Sequence, residues 1–178
     1  MAIPPLVKGT EPFAAGLRRH FREIRSEALA LVREDYQPWP LLDAYTGDWR
    51  VFPLFLRSWP AALVVDAERN EARCPRTVAA LRGLGACAAA FSWLEPGTNI
   101  LPHRDAPDPG VVRTHLGVSV GRGAFLRVGD EWWEWTDGEA LSFDGQLEHE
   151  VLHLGRERRI VLLADVPLGA AAPGGAAD

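Results

Sequence analysis

The chain is poor in cysteine, almost without lysine and methionine, and free of long apolar or basic runs, and each shortage excludes something. Two thiols, Cys74 and Cys87, in 178 residues cannot make a disulfide framework, and thirteen positions apart they read as small apolar residues rather than a structural pair. Met1 to Glu11 holds no apolar stretch long enough for a signal-peptide core, and nothing further on is long enough for a membrane span. A cytoplasmic protein with reduced thiols is the expectation. A formal charge of −5 and the lack of a basic cluster argue against nucleic acid as a partner. Lys8 is the only lysine and the other 18 basic residues are arginines, which reads as compositional bias.

What remains is ample for a folded domain. With 47% hydrophobic residues the chain can bury a core without disulfides or a structural metal. The first clear element runs from Thr10, an N-cap followed by Glu11 and Pro12, to about Arg33. Phe13, Leu17, Phe21, Ile24, Ala28 and Leu31 recur at steps of four and three and make one apolar helix stripe. From Asp35 to Pro60 the pattern dissolves into aromatics and prolines, with Trp49 and Phe52 as expected pocket lining. Cys74-Pro75-Arg76-Thr77 opens a short helix, Val78 to Leu84, closed by Gly85.

From Ala86 the period changes to two. Strands are expected over 89–94, 112–120, 124–128, 131–135, 140–143, 148–153 and 158–166, with Gly121-Arg122-Gly123, Gly129-Asp130 and Asp137-Gly138 among the turns between them. Short strands at this spacing predict a mainly β jelly roll with supporting N-terminal helices. The expected division is a support region over 1–85, a catalytic core over 86–168 and a frayed Ala/Gly-rich tail over 169–178.

The histidines are unevenly spread. His20 stands alone in a basic patch, where solvent is expected, while His103, His115, His149 and His153 fall in the second half. His103 and Asp105, two apart, share a direction on extended backbone. With His149 from a distant strand they would form two imidazoles and a carboxylate on one face of a metal, the ligand set of non-haem iron(II) oxygenases. Arg159 begins the apolar strand Ile160-Val161-Leu162-Leu163-Ala164. Facing inward it needs a buried anion, and a dicarboxylate cosubstrate would supply one; facing outward with Arg156 and Arg158 it would have no such role. His153 is expected at a strand end near solvent. Trp132, Trp133 and Trp135 read as sheet and core packing rather than an aromatic cage.

The run from Phe91 to Val166 resembles the aspartyl/asparaginyl β-hydroxylases, iron(II)- and 2-oxoglutarate-dependent dioxygenases. The resemblance is carried by Ser92, Glu95-Pro96-Gly97-Thr98, Pro102-His103, Arg113-Thr114-His115-Leu116-Gly117, Trp135, Gly138-Glu139, Phe143-Asp144, Glu148-His149-Glu150-Val151, Arg159 and Asp165-Val166, with Pro75-Arg76-Thr77 upstream. Residues 1–70 are only loosely similar. The resemblance implies a cupin-like double-stranded β-helix with His103 and His149 as iron ligands. It implies Arg159 and Ser92 on the distal carboxylate of 2-oxoglutarate, His115 near its other carboxylate, and Arg113 near substrate or cosubstrate. Some members lack a carboxylate where this chain has Asp105. The expectation here is a three-ligand site; if Asp105 points away, water fills the third position.

The resemblance further implies consumption of O2 and hydroxylation at an unactivated C–H. The expected substrate is the β-carbon of an aspartyl or asparaginyl group in a small molecule, a peptide or an amino acid bound to a carrier protein. Hydroxylation of proline or a lipid acyl chain also occurs among such proteins. Arg113 is the cation expected to meet a substrate carboxylate, with Arg50, Arg57 and Arg76 as further cations. A non-catalytic metal- or ligand-binding jelly roll is the competing reading, and it gives no reason for the cosubstrate arginine.

Overall fold

Strands from both halves of the chain, most of them from the second, build two facing antiparallel sheets, and the helices of the first half cover the outer face of one of them. The computed structural model describes residues 7–8, 12–56, 62–106 and 110–167. Thr10, Arg57 and the tail lie outside the described residues. Strands are numbered in chain order. The larger sheet runs, edge to edge, β1 (Val7–Lys8), β10 (Ala140–Phe143), β7 (Val111–Ser119), β12 (Arg159–Pro167), β5 (Ala88–Leu94), β4 (Trp49–Phe55) and β2 (Gln37–Pro38). The smaller runs β3 (Tyr45–Thr46), β6 (Asn99–His103), β11 (His149–His153), β8 (Ala124–Val128) and β9 (Glu131–Glu134). This is the mainly β jelly roll expected from the strand spacing, in the cupin-like form that the resemblance implied.

Parity explains the burial. In β12 Ile160, Leu162 and Ala164 face the helices, while Val161 and Leu163 face the smaller sheet. In β5 Phe91 and Trp93 face the helices and Leu94 faces inward. Both faces of the larger sheet are covered, so β5 and the first seven residues of β12 are buried throughout and read as near-continuous apolar runs. The smaller sheet has a solvated outer face, and β8 and β11 alternate strictly between buried and half-buried residues.

The long helix expected over 10–33 is two helices, α1 (Pro12–Arg19) and α2 (Phe21–Ala30), meeting at exposed His20, whose backbone sits at φ −93° and ψ 9°. The bend keeps the apolar stripe on the curved sheet: α1 lies against β10 and β7, and α2 lies against β7 and α4 (Pro75–Gly83). Gly16 makes that packing close, because a Cβ there would overlap the Leu84 side chain. The stripe residues Phe13, Leu17, Ile24, Ala28 and Leu31 are all buried, as their spacing requires. Another short helix, α3 (Ala67–Arg73), precedes α4 and had no clear apolar stripe to announce it.

Glu27 joins α2 to the start of α4. Its carboxylate accepts hydrogen bonds from the backbone N–H of Arg76 (3.0 Å) and Thr77 (2.8 Å) and from the Thr77 hydroxyl (2.7 Å). These are N-terminal helix donors with no partner inside their own helix. Burial pushes the Glu27 pKa up, but the hydrogen bonds from Thr77 and Arg76 outweigh it and hold the group below its ordinary 4.5. A depressed carboxyl contributes stability that is complete above 4.5 and lost as pH falls through the lower folded-state value. Glu27→Ala is therefore expected to cost about 1–3 kcal/mol at pH 7. In urea titrations the gap between variant and wild type should narrow in acid; a gap independent of pH would contradict this account.

Candidate active site

The two sheets part at one end to leave a cavity of about 430 Å³ lined by inward-facing residues of β5, β6, β7, β11 and β12. His149 opens β11 and is paired with His103 at the end of β6. Simple alternation would not put His103 there. Ile100 faces inward, so an unbroken β6 would aim residue 102 at the cavity and turn 103 outward. Instead Val151 pairs with Ile100 and His149 with His103, two steps on β11 against three on β6. The extra residue is a bulge that rotates His103 to the inside. The two imidazole centroids lie 4.2 Å apart.

Each histidine is held by a carbonyl two residues earlier. His103 Nδ1 lies 2.7 Å from the Leu101 oxygen and His149 Nδ1 lies 2.9 Å from that of Leu147. A carbonyl only accepts, so both rings carry Nδ1–H and leave the Nε2 lone pair free to bind a metal. Burial is the main cause that brings the His149 pKa down to about 4, with repulsion from His103 adding to it and Asp105 opposing. The imidazole is thus neutral, the form that binds metals.

Asp105 completes the group: ligand atoms of His103, Asp105 and His149 lie within 4.8 Å of one another. The loop carrying Asp105 is clamped to the loop before β11. Asp105 N–H donates to the Gly145 carbonyl at 2.9 Å, and Gln146 Nε2 donates to the carbonyls of Asp105 and Ala106. The carboxylate lies against Gly145, where any Cβ would overlap it. Arg113 Nη1 donates to Asp105 Oδ2 at 2.5 Å, while Arg113 Nε and Nη2 donate to the two oxygens of Asp165 at 2.8 and 2.9 Å. Arg113 and Asp165 sit directly opposite each other on β7 and β12, so sheet register sets the pair.

Arg159 lies deeper. It is only 1% exposed, and its Nε and Nη2 have no hydrogen-bond partner among the described residues. Its guanidinium carbon stands 5.3 Å from the Trp135 ring centroid. Burial alone pushes its pKa down to about 9, so it is still a cation at neutral pH. A buried guanidinium with unused donors beside a cluster able to hold a metal fits an anionic group entering the cavity. Ser92 sits diagonally across from it on β5. The Ser92 Oγ accepts the Trp49 indole N–H at 3.0 Å, leaving its own proton for the cavity.

His115 shares the inner face of β7 with Arg113. It stacks on Trp135 at 5.6 Å and meets Phe143 edge to face at 5.0 Å. Burial, followed by the nearby cations Arg159 and Arg113, holds its pKa well below the ordinary value, and it too is neutral.

The structure therefore brings His103, Asp105, His149, Arg159, Ser92, His115 and Arg113 to one cavity. Trp49 lines it, whereas Phe52 turns to the helix side, one step out of phase. Arg50 and Arg76 are elsewhere, paired with Asp48 and Glu27. His153 is fully buried rather than solvated, because it shares parity with His149 and Val151; its Nε2 lies 2.7 Å from the Glu157 carbonyl. Cys87 is half-buried and Cys74 buried, and the two do not form a disulfide with each other. The expected turn at Gly121-Arg122-Gly123 does not pair its two flanking strands: β7 and β8 belong to different sheets, and the segment carries the chain across. Gly145 and Gln146 act on the site without having stood out in the sequence, and Asp165, one of the residues that carry the resemblance, had no role assigned there, because its pairing with Arg113 is visible only once β7 and β12 are in register.

Fold and site together define a cupin-like jelly roll with a two-histidine, one-carboxylate cluster at the mouth of its barrel. The family model for aspartyl/asparaginyl β-hydroxylase matches residues 18–167, and the chain belongs to that family of hydroxylases. Among its relatives, the ornithine lipid ester-linked acyl 2-hydroxylase of Rhizobium tropici is 32% identical over 176 residues, covering 91% of this chain and 60% of that protein. Human aspartate β-hydroxylase domain-containing protein 2 is 33% identical over 165 residues, covering 84% of this chain and 43% of that protein. Human aspartyl/asparaginyl β-hydroxylase is 28% identical over 175 residues, covering 91% of this chain and 22% of that protein. The chain thus spans less than two thirds of the length of these relatives. A prolyl-4-hydroxylase from Pseudomonas putida shares the fold, with a TM-score of 0.51 at 18% identity and 92% coverage of both chains.

Proposed function

We propose that the chain is an iron(II)- and 2-oxoglutarate-dependent dioxygenase that hydroxylates an unactivated C–H bond on a substrate entering by an apolar segment. The observation that carries this reading is Arg159, a buried cation with two unused donor atoms behind the His103, Asp105 and His149 cluster. His103, Asp105 and His149 would hold the iron, leaving coordination positions for exchangeable ligands. Arg159 and Ser92 would bind the distal carboxylate of 2-oxoglutarate, and neutral His115 would line the pocket for its other end. When bound, metal and cosubstrate supply the oxidising power: R–H, O2 and 2-oxoglutarate become R–OH, succinate and carbon dioxide. The protein's part is to orient both organic molecules and keep water out, which Trp135 and Phe143 do by packing against His115.

The substrate reading rests on the entrance. Trp39, Leu41, Ala44, Ile100 and Val111 give the cavity an apolar approach. Arg113, the cation expected for a substrate carboxylate, is instead engaged by Asp105 and Asp165. An acyl chain suits such a lining, and the Rhizobium relative is named for acyl hydroxylation. The β-carbon of an aspartyl or asparaginyl group is the second reading, favoured by Arg104, an exposed cation on the rim.

Anaerobic addition of iron(II) and 2-oxoglutarate is expected to produce a visible charge-transfer band. Exposure to air with a panel of acyl lipids and aspartyl or asparaginyl peptides should then add one oxygen to the accepted substrate, read by mass spectrometry. Well-folded protein that gives no band and forms no succinate would overturn the oxygenase reading.

A further inference from the structure

We propose that Arg113, locked by Asp165, is a positioning residue that holds Asp105 in place as the third metal ligand. The inference rests on the metal-centre reading above. Asp105 follows β6 on a loop whose main chain is tied down by Gly145 and Gln146. Those bonds fix the backbone and leave the side chain free to turn. The orientation of the carboxylate comes from two further features: the Cβ-free surface of Gly145 behind it and Arg113 Nη1 at 2.5 Å from Oδ2. A carboxylate has about four lone-pair sites, so one guanidinium bond still leaves sites directed at the histidines. Asp105 Oδ2 lies 3.9 Å from His149 Nε2, close enough for one ion to bridge them.

Asp165 supplies the rigidity. Its two oxygens take Arg113 Nε and Nη2, a fork-to-fork pair that sets the guanidinium plane and sends Nη1 toward the cavity. Register on adjacent central strands holds the pair, and Asp165 is 4% exposed. One cation between two carboxylates leaves the trio with a net negative charge, which suits a divalent metal. The role assigned to Arg113 is thus different from the substrate or cosubstrate contact implied by resemblance. In this chain the presence of Asp105 redirects the arginine to the metal site.

The test is a double-mutant cycle read by cobalt(II) binding to metal-stripped, full-length protein without cosubstrate, using titration calorimetry and the cobalt absorption bands. Arg113→Met with Asp165→Asn removes both members of the buried pair together, so that no charge is stranded at Asp165 while Asp105 loses the cation that orients it. In the wild-type background this pair of changes is expected to weaken cobalt(II) binding about 10- to 100-fold and to shift the absorption bands. In an Asp105→Ala background the same changes should alter affinity by no more than about twofold, because the group they position is gone. Equal losses in both backgrounds, or no loss in either, overturn the proposal. Arg113→Lys, which keeps the charge but cannot span both carboxylates, repeats the cycle if the paired variant does not fold. His149→Ala is the control for the underlying reading. If it leaves cobalt(II) binding intact, the metal centre itself is wrong; if it abolishes binding while the Arg113 changes do nothing, only the positioning role fails.

Discussion

Arg159→Met is expected to make the unliganded protein more stable and unable to bind 2-oxoglutarate. The two effects have one cause. The guanidinium is 1% exposed, its Nε and Nη2 are unpartnered among the described residues, and contact with the Trp135 ring compensates only part of the desolvation. A basic group whose pKa is depressed on folding, here to about 9, destabilises the folded state while it is charged. The unfolded chain holds the proton more tightly, so this penalty is fully present at neutral pH and eases as pH rises above about 9. Methionine fills similar space without a charge, and such replacements of buried ions are typically neutral or stabilising by about 1–4 kcal/mol. Loss of the charge partner should cost cosubstrate binding about 2–5 kcal/mol, on the order of 30- to several-thousand-fold. Thermal melts with manganese(II) present decide it. Wild type should gain stability on adding 2-oxoglutarate. The variant should start higher and not move. A variant that melts lower than wild type, or that needs no more 2-oxoglutarate than wild type for the same gain in stability, rules out this role for Arg159.

The same residue shows how far a sequence alone reaches. Arg159 was legible because it opens an apolar run in which period-two alternation could place it on either face, and only the inward face demanded a ligand. Register settles the face: Val161 and Leu163 point into the barrel, and Arg159 shares their parity. His149 was legible as the imidazole that a distant strand could bring back beside His103 and Asp105. His103 was found by its motif, but its direction was not derivable from spacing, since a bulge between Ile100 and His103 reverses the parity that a regular strand would give. Bulges leave no reliable mark in composition.

Helix α1 and α2 illustrate another kind of loss. Their apolar stripe is continuous through His20, so periodicity reads one helix where the chain bends to follow the sheet. β4 was blurred by Pro53 and by apolar residues on both of its faces, which removes alternation as a signal. Asp165, though it was among the residues carrying the resemblance, had the role that was hardest to see. It stands 52 residues from Arg113 and acquires meaning only from the pairing of β7 with β12.

His149→Ala is expected to abolish turnover and to weaken metal binding by more than the roughly 10- to 100-fold that loss of an outer partner costs. Of the three candidate ligands His149 is the most buried, 3% exposed, and its Nδ1–H is tied to the Leu147 carbonyl, which fixes the direction of the Nε2 that the alanine variant loses. The acid behaviour of the metal-free protein should change as well. With a folded-state value of about 4 against an ordinary 6.5, His149 stays neutral in the fold while the unfolded chain takes up a proton. Stability from this group is therefore complete above 6.5 and declines as pH falls toward 4, by up to a few kcal/mol at about 1.4 kcal/mol per unit. The alanine variant lacks that term, and its stability should fall less steeply over the same range. Chemical denaturation at several pH values, beside manganese(II) titrations, reads both effects. Added imidazole should partly restore metal binding to the variant, since the space left by the ring opens onto the cavity. An unchanged metal affinity, or an acid slope identical to wild type, would show that His149 is neither a ligand nor a buried neutral base.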